Sequence, residues 1–290
     1  ATVSAFLLNR SSDLTRQPVM DALQSLFGGS ENTRIVVLPI DTVLPREEED
    51  TQYAAAATRE ELKSQIEKGA RIDSNFVLLT FLSTVVAAIG LIEDNVAVVV
   101  GAMVIAPLLG PMIALAFGSS LGDGDLVWKS LKTGLAGLGL AFALSFAIGV
   151  VWPVDIGRGE MLLASTEILA RTDVGLDGIA LALASGAAAV LSLSTGLSST
   201  LVGVMVAVAL LPPTSAVGLF LGSGQFALAA GAAMLLAVNI VSVNIAAHSI
   251  LFWRGVRPRT FFEDKRASRG RIASVTVWVG LLLLLIALMW

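Results

Sequence analysis

The chain has no cysteine, a single histidine and few charges of either sign, and each shortage removes a class of function. Without cysteine there is no disulfide, no thiolate metal site and no cysteine nucleophile. One histidine, His248, is too few for a histidine-based metal centre. No phosphate-cradling glycine loop is present, so an ATP-driven pump would need another subunit. Charged residues make up 14% of the chain and almost none falls within an apolar run. Ionisable groups in lipid mark proton relays, so their scarcity argues against a carboxylate proton pump. With no nucleophile–base pair or metal cluster to assemble, an enzyme is the least supported class, and neither a cofactor nor a nucleic-acid partner is expected. Residues 1–75 also lack a long apolar run, so no cleavable signal sequence is expected.

What the chain does have is apolar surface. Of its 290 residues 55% are hydrophobic, and its mean hydropathy is +0.81. A soluble fold cannot bury that much, so the expected class is a mostly α, polytopic helical membrane protein. Residues 1–45 read as a small cytoplasmic α+β unit. Val3 to Leu8 is a strand, Gln17 to Phe27 an amphipathic helix and Thr33 to Ile40 a second strand, with a turn at Gly28-Gly29-Ser30. Residues 46–75 follow as an acidic linker, Glu47 to Asp50, and a helix opened by the capping box Thr58-Arg-Glu-Glu61. Leu62, Ile66 and Ala70 share one face of that helix, which suits the membrane surface or the small unit.

Residues 76–290 form the transmembrane domain, with seven expected spans: Phe76–Ile92, Asn95–Gly118, Trp128–Trp152, Asp177–Thr195, Ser199–Leu221, Phe226–Phe252 and Ile272–Trp290. Trp128, Trp152, Trp253 and Trp290 stand at span ends, where aromatic side chains favour the interface. Seven Lys and Arg residues lie in Arg254 to Arg271. With seven spans, that loop shares a side with Lys63, Lys68, Arg71, Lys129 and Lys132. The other side holds Arg158 and Arg171 against Asp155, Glu160, Glu167 and Asp173. The positive-inside rule then places the N-terminus in the cytoplasm and the C-terminus outside, in a multi-pass protein of the inner (cytoplasmic) membrane.

Two proline-bearing runs carry the main functional signal. Val100-Gly-Ala-Met-Val-Ile-Ala-Pro-Leu-Leu-Gly-Pro-Met-Ile-Ala114 is followed 102 residues later by Val202-Gly-Val-Met-Val-Ala-Val-Ala-Leu-Leu-Pro-Pro-Thr-Ser-Ala216, and eight of fifteen positions match without a gap. The same register pairs Leu79 with Leu181, Ser83 with Ser185, Ala87 with Ala189 and Leu91 with Leu193, one helical face in each half. The third spans align only loosely. Three spans per repeat is an odd number, so the second copy is inverted: 76–152 forms repeat one, 177–252 repeat two, and 272–290 an extra helix. An interfacial helix is expected in the connection between them, around Met161, Leu162, Ile168 and Leu169.

Proline removes helix hydrogen bonds, and a backbone group freed in lipid needs another partner. Interruptions at matching positions of two halves point to a transporter's binding site. The candidate site residues are therefore Ala106, Pro107, Gly110 and Pro111 from the first run, and Pro212, Pro213, Thr214 and Ser215 from the second. Asn239 and Ser242 join them from one face of the sixth span. Hydroxyls and amides beside unwound carbonyls suit a desolvated Na⁺, the expected coupling ion, or a small solute. A lone Ser or Thr in a membrane helix more often bonds the carbonyl one turn back. For the group Asn239, Thr214 and Ser215 both readings stand. His248, near the cytoplasmic end of its span, reads as an interface residue, Glu93-Asp94 as a solvated turn, and Gly122-Asp-Gly-Asp125 as a turn.

At Gly69 to Phe76, Leu82 to Leu91 and Asp94 to Pro111 the chain resembles a family of prokaryotic hydrophobic membrane proteins, domain of unknown function 389. The likeness runs from about Thr42-Val-Leu-Pro45 through the second proline-bearing run. It implies an integral membrane protein with a soluble segment ahead of its membrane domain, and it supplies no substrate and no site residues. The residues themselves favour a secondary transporter of a small solute or inorganic ion. An ion channel, or a non-transporting scaffold or sensor, is the alternative. Membrane lipid, the solute and further copies of the chain in a homo-oligomer are the expected partners.

Overall fold

The computed structural model describes residues 66–152, 166–195, 199–254 and 275–288, and every element among them is a helix. In chain order these are α1 (Ser74–Ile92), α2 (Val96–Ile105), α3 (Leu109–Leu121), α4 (Gly124–Val151), α5 (Thr166–Leu169), α6 (Leu176–Thr195), α7 (Ser199–Gly222), α8 (Phe226–Trp253) and α9 (Val275–Leu288). The strands and helix expected in residues 1–45, and the acidic linker after them, lie outside the described residues.

Helix starts follow from local side chains. Asp73, Asn95 and Asp123 each turn a carboxylate or amide oxygen onto an orphan backbone N–H, at Phe76, Val98 and Leu126 respectively. Gly122 and Gly224 supply left-handed turns (φ +72° and +75°) between consecutive helices, a conformation that a Cβ disfavours. Of the Gly122–Asp125 segment, expected as a turn, Gly122 and Asp123 form the turn while Gly124 and Asp125 open α4.

Polarity is arranged inside out. On α1 the buried face carries Thr80, Ser83 and Thr84, while Leu78, Phe81, Leu82 and Ile89 are exposed. The three hydroxyls donate to carbonyls of the same helix, Phe76 for Thr80 and Thr80 for the other two. In water such an exposed apolar face would aggregate; in lipid it is the solvated face. The chain is a membrane protein. Three helices, α1, α4 and α8, are long and apolar enough to cross a bilayer, and the bent pair α2–α3 makes a fourth. The described apolar stretches at Leu176–Ser192, Ala209–Gly222 and Val275–Leu288 are shorter.

Close packing rests on small residues. A Cβ on Gly218 would lie 2.7 Å from both the Phe142 carbonyl oxygen and Ser145 Cβ, and one on Gly222 would strike the Phe146 carbonyl and the backbone at Gly149 and Val150. Residue numbers rise together across these contacts, so α4 and α7 run parallel, backbone against backbone. Helices α6 and α8 do the same, through Gly178 against Leu235 and Gly186 against Val243. By contrast α7 and α8 form an antiparallel hairpin about the Gly224 turn.

The element bounds themselves recur. Helices α4 and α8 are both 28 residues long and stand 102 positions apart at both ends. Helix α6 begins 102 positions after α1, and the two left-handed turn glycines are separated by the same interval. The third helices, which align only loosely by sequence, coincide in extent.

One expectation needs correction. The first proline-bearing run is interrupted, with α2 and α3 bent by 53° about Ala106–Leu108. The second is not: α7 continues through Pro212 and Pro213.

Gly222→Leu is expected to destabilise the detergent-solubilised protein by about 1–3 kcal/mol through overpacking of α4 against α7. Gly139→Ala, where a Cβ would meet nothing within 4 Å, should change stability by less than about 0.5 kcal/mol. Thermal unfolding of the two variants beside the unmodified chain checks both.

Candidate functional site

The two proline runs meet the same chemical problem in different ways. A proline inside a helix leaves the carbonyl four residues back without its donor. Pro111 sits in the first turn of α3, where the backbone N–H has no helical acceptor in any case, so it costs little. Pro213 lies deep within α7 and frees the carbonyl of Ala209. The Asn239 amide nitrogen of α8 donates to that carbonyl at 2.8 Å. A side chain thus replaces the missing backbone donor and lets α7 run on. The position equivalent to Asn239 in the first half, 102 residues earlier, is Gly137, which carries no side chain and lies against Phe76 and Leu108. No amide is on hand there, and the helix breaks at Pro107.

The carbonyl and its amide form part of the wall of a cavity of about 340 Å³. Its buried lining comes from Ala209 and Pro213 of α7, Asn239 and Leu235 of α8, and Ser185 and Ala182 of α6, with exposed Leu181 of α6 beside them. Arg171, Asp173 and Asp177 ring its mouth. Arg171 donates from Nη2 to Glu167 at 3.1 Å, and the backbone N–H of Glu167 donates to Asp94 Oδ1 at 2.7 Å. The Glu93-Asp94 turn is therefore not merely solvated: Asp94, held at φ +54°, starts α5 from across the fold. Ile168 of that short helix is fully buried, a core anchor where sequence alone points to an interfacial helix.

A second cavity, of about 310 Å³, is lined by residues that include Lys68, Arg71, Asp73, Asn75, Leu79, Pro107 and Gly110. Eight of its ten lining positions stand 102 residues before a lining position of the first cavity, among them Arg71 before Asp173, Asn75 before Asp177 and Pro107 before Ala209. At its edge Gly110 and Gly69 touch backbone to backbone, closer than any side chain would permit.

The predicted site residues are thus divided. Pro213 and Asn239 line the first cavity, and Pro107 and Gly110 the second. Ala106 ends α2 in an extended conformation, and Pro111 packs on α4 at Gly134. Thr214 donates to the Leu210 carbonyl at 2.7 Å, so for it the local bond one turn back is the observed role. Ser215 and Ser242 are fully buried with hydroxyls that find no partner among the described residues, and Pro212 is buried within α7. His248 is not at an interface. It is buried, with Nδ1 2.7 Å from the Asn244 carbonyl and Nε2 2.6 Å from Ser119 Oγ, tying α8 to α3. Sequence reasoning passed over Ser185, Asp173, Asp177 and Ala209 as site residues. The interval of 102, extended upstream from the proline runs, would have paired three of them with Ser83, Arg71 and Asn75.

The family model described as Domain of unknown function (DUF389) matches residues 103–245. An uncharacterized protein of Methanocaldococcus jannaschii is 32% identical over 273 residues, covering 94% of this chain and 83% of its own length. No solved structure matches the chain.

Asn239→Leu should strand the Ala209 carbonyl and cost about 1–3 kcal/mol of stability. Adding Pro213→Ala restores a backbone donor to that carbonyl, so the double variant should recover most of the loss. A double-mutant cycle by thermal unfolding reads the coupling.

Proposed function

For a chain that belongs to the domain of unknown function 389 family, we propose a role as a secondary transporter of a small solute or inorganic ion across the inner membrane. Two oppositely oriented three-span repeats carry it out, within a domain of seven spans that keeps its N-terminus in the cytoplasm. The observation that carries this reading is the pair of equivalent cavities, each abutting one proline-bearing run. Orientation is supported by packing. Helix α7 runs parallel to α4 and antiparallel to α8, so α4 and α8, which stand 102 residues apart, point in opposite directions. Under that arrangement the cavities open on opposite faces of the bilayer, as alternating access requires. Rocking one repeat against the other would close one cavity while opening its counterpart.

With α2–α3 bent at Ala106–Leu108 and α7 continuous through Pro213, the first repeat would be the moving part. A scaffold or sensor without transport would be favoured by continuous proline-bearing helices and no cavity between them. Helix α7 is continuous but the α2–α3 pair is bent, and a cavity does abut α7, although no residue of α2 or α3 lines it.

Topology is testable directly, because the chain contains no cysteine to remove. Single cysteines at the equivalent positions Gly124 and Phe226, both exposed, should differ in labelling by a membrane-impermeant thiol reagent. Phe226→Cys should react from outside intact cells, and Gly124→Cys only after permeabilisation; labelling of both from one side sinks the inverted repeat. In proteoliposomes, Asn239→Ala, which removes the side-chain donor to the Ala209 carbonyl, should lower initial uptake by roughly tenfold, the kinetic weight of one hydrogen bond, with insertion intact.

A further inference from the structure

We propose that the first cavity binds a small monovalent cation, either an alkali ion or a small ammonium compound. The proposal rests on the transport reading for its physiological purpose, but its chemistry comes from the cavity wall.

Asn239 is 94% buried, and its amide nitrogen is already engaged by the Ala209 carbonyl at 2.8 Å. Its Oδ1 accepts from no group among the described residues, and the side chain lines the cavity. Ser185, also buried, donates its hydroxyl hydrogen to the Leu181 carbonyl at 2.8 Å, so only its oxygen lone pairs face a ligand. The floor therefore offers two open acceptors against one remaining N–H of the Asn239 amide. An unfilled amide acceptor in a membrane interior is costly unless something donates to it or coordinates it.

The mouth has the same sign. Asp173 and Asp177 contribute two carboxylates, and the Arg171 guanidinium is already paired with Glu167. Arg171 Nε has no partner but is sealed from solvent, out of reach of an incoming anion. Asp177 also occupies the first turn of α6, so the partial positive charge of that helix end is answered from within the chain. Hard cations take oxygen ligands of this type, and ammonium groups take the same acceptors as hydrogen-bond partners.

The equivalent cavity provides a contrast. Arg71 stands where the first has Asp173, Lys68 where it has Ala170, and Gly137 where it has Asn239. The second cavity also holds Asp73 and Asn75, but there two cations outweigh one carboxylate, whereas at the first two carboxylates outweigh Arg171. A cation drawn into the first would meet repulsion at the second, an arrangement for one-way loading and release.

The experiment uses the purified full-length chain in detergent at constant ionic strength, balanced with the bulky N-methylglucamine cation. Sodium, potassium and methylammonium chlorides are titrated in turn, and each cation is then repeated as its acetate and sulfate. The expected result is saturable thermal stabilisation that depends on the cation and not the anion. The alkali and methylammonium arms identify which source fills the site. Asp177→Asn and Asn239→Leu should each weaken apparent affinity by roughly tenfold, the loss of one charge-assisted contact, while Arg71→Gln in the other cavity should leave it unchanged. If Asn239→Leu does not fold, Asp177→Asn decides. The proposal is overturned if no cation stabilises more than N-methylglucamine does, if the anion governs the effect, or if Asp177→Asn binds as the unmodified chain does. Cation binding without flux in vesicles would remove the transport reading and keep the site; anion flux without cation binding would do the reverse.

Discussion

A carbonyl oxygen without a donor, deep in a hydrophobic medium, is the constraint around which this membrane domain is organised. In water a solvent molecule would satisfy the Ala209 carbonyl that Pro213 leaves free. In lipid the chain must provide the partner itself, and Asn239 does so from the neighbouring helix. That bond replaces the donor that Pro213 removes from α7, and it turns one face of α8 toward α7. It also sets an amide oxygen at the floor of a cavity. The same proline problem in the other half is solved by breaking the helix, which leaves a bend of 53° in place of a side-chain donor.

This divergence matters for function because equivalent parts of the chain have become physically unlike. One cavity is acid-mouthed and amide-floored, with a continuous helix beside it. Its counterpart carries two cations against one carboxylate and is flanked by a bent helix whose Gly110 lies against Gly69. A perfectly symmetric pair would give no preference for either face. Pinning interactions elsewhere, such as His248 between Asn244 and Ser119, hold α8 to α3 and join the two halves across the repeat.

Around these polar points the packing is of the kind lipid imposes. Helices cannot be driven together by excluding water, so they approach through glycines at 149, 186, 218 and 222 until backbones touch. Hydroxyls on α1 turn inward and bond their own helix, and leucine and phenylalanine turn outward. Among the described residues, hydroxyls sealed from solvent at Ser145, Ser215 and Ser242 and the sealed amide oxygen of Asn244 have no partner. These lie in helices on which the repeats meet, where a change of packing could offer them partners.

Much was legible from one dimension. Hydropathy, capping residues and the turn glycines are local, and they locate α1, α4 and α8 and the turns at Gly122 and Gly224 with small error. The interval of 102 is also a property of the string, and it foretells which elements correspond, even for the third helices whose residues had drifted apart. What composition could not say is whether a proline breaks its helix. Pro111 and Pro213 stand at equivalent positions, but the first run also carries Pro107 where the second has Ala209, and the third helix of each repeat offers glycine at 137 against asparagine at 239. Likewise Asp173 reads as a loop charge and Asp177 as the start of a span until folding brings both to the cavity that Asn239 lines. Local propensity is written along the chain, but the partner of a freed backbone group comes from a distant helix, and only the packed fold selects it.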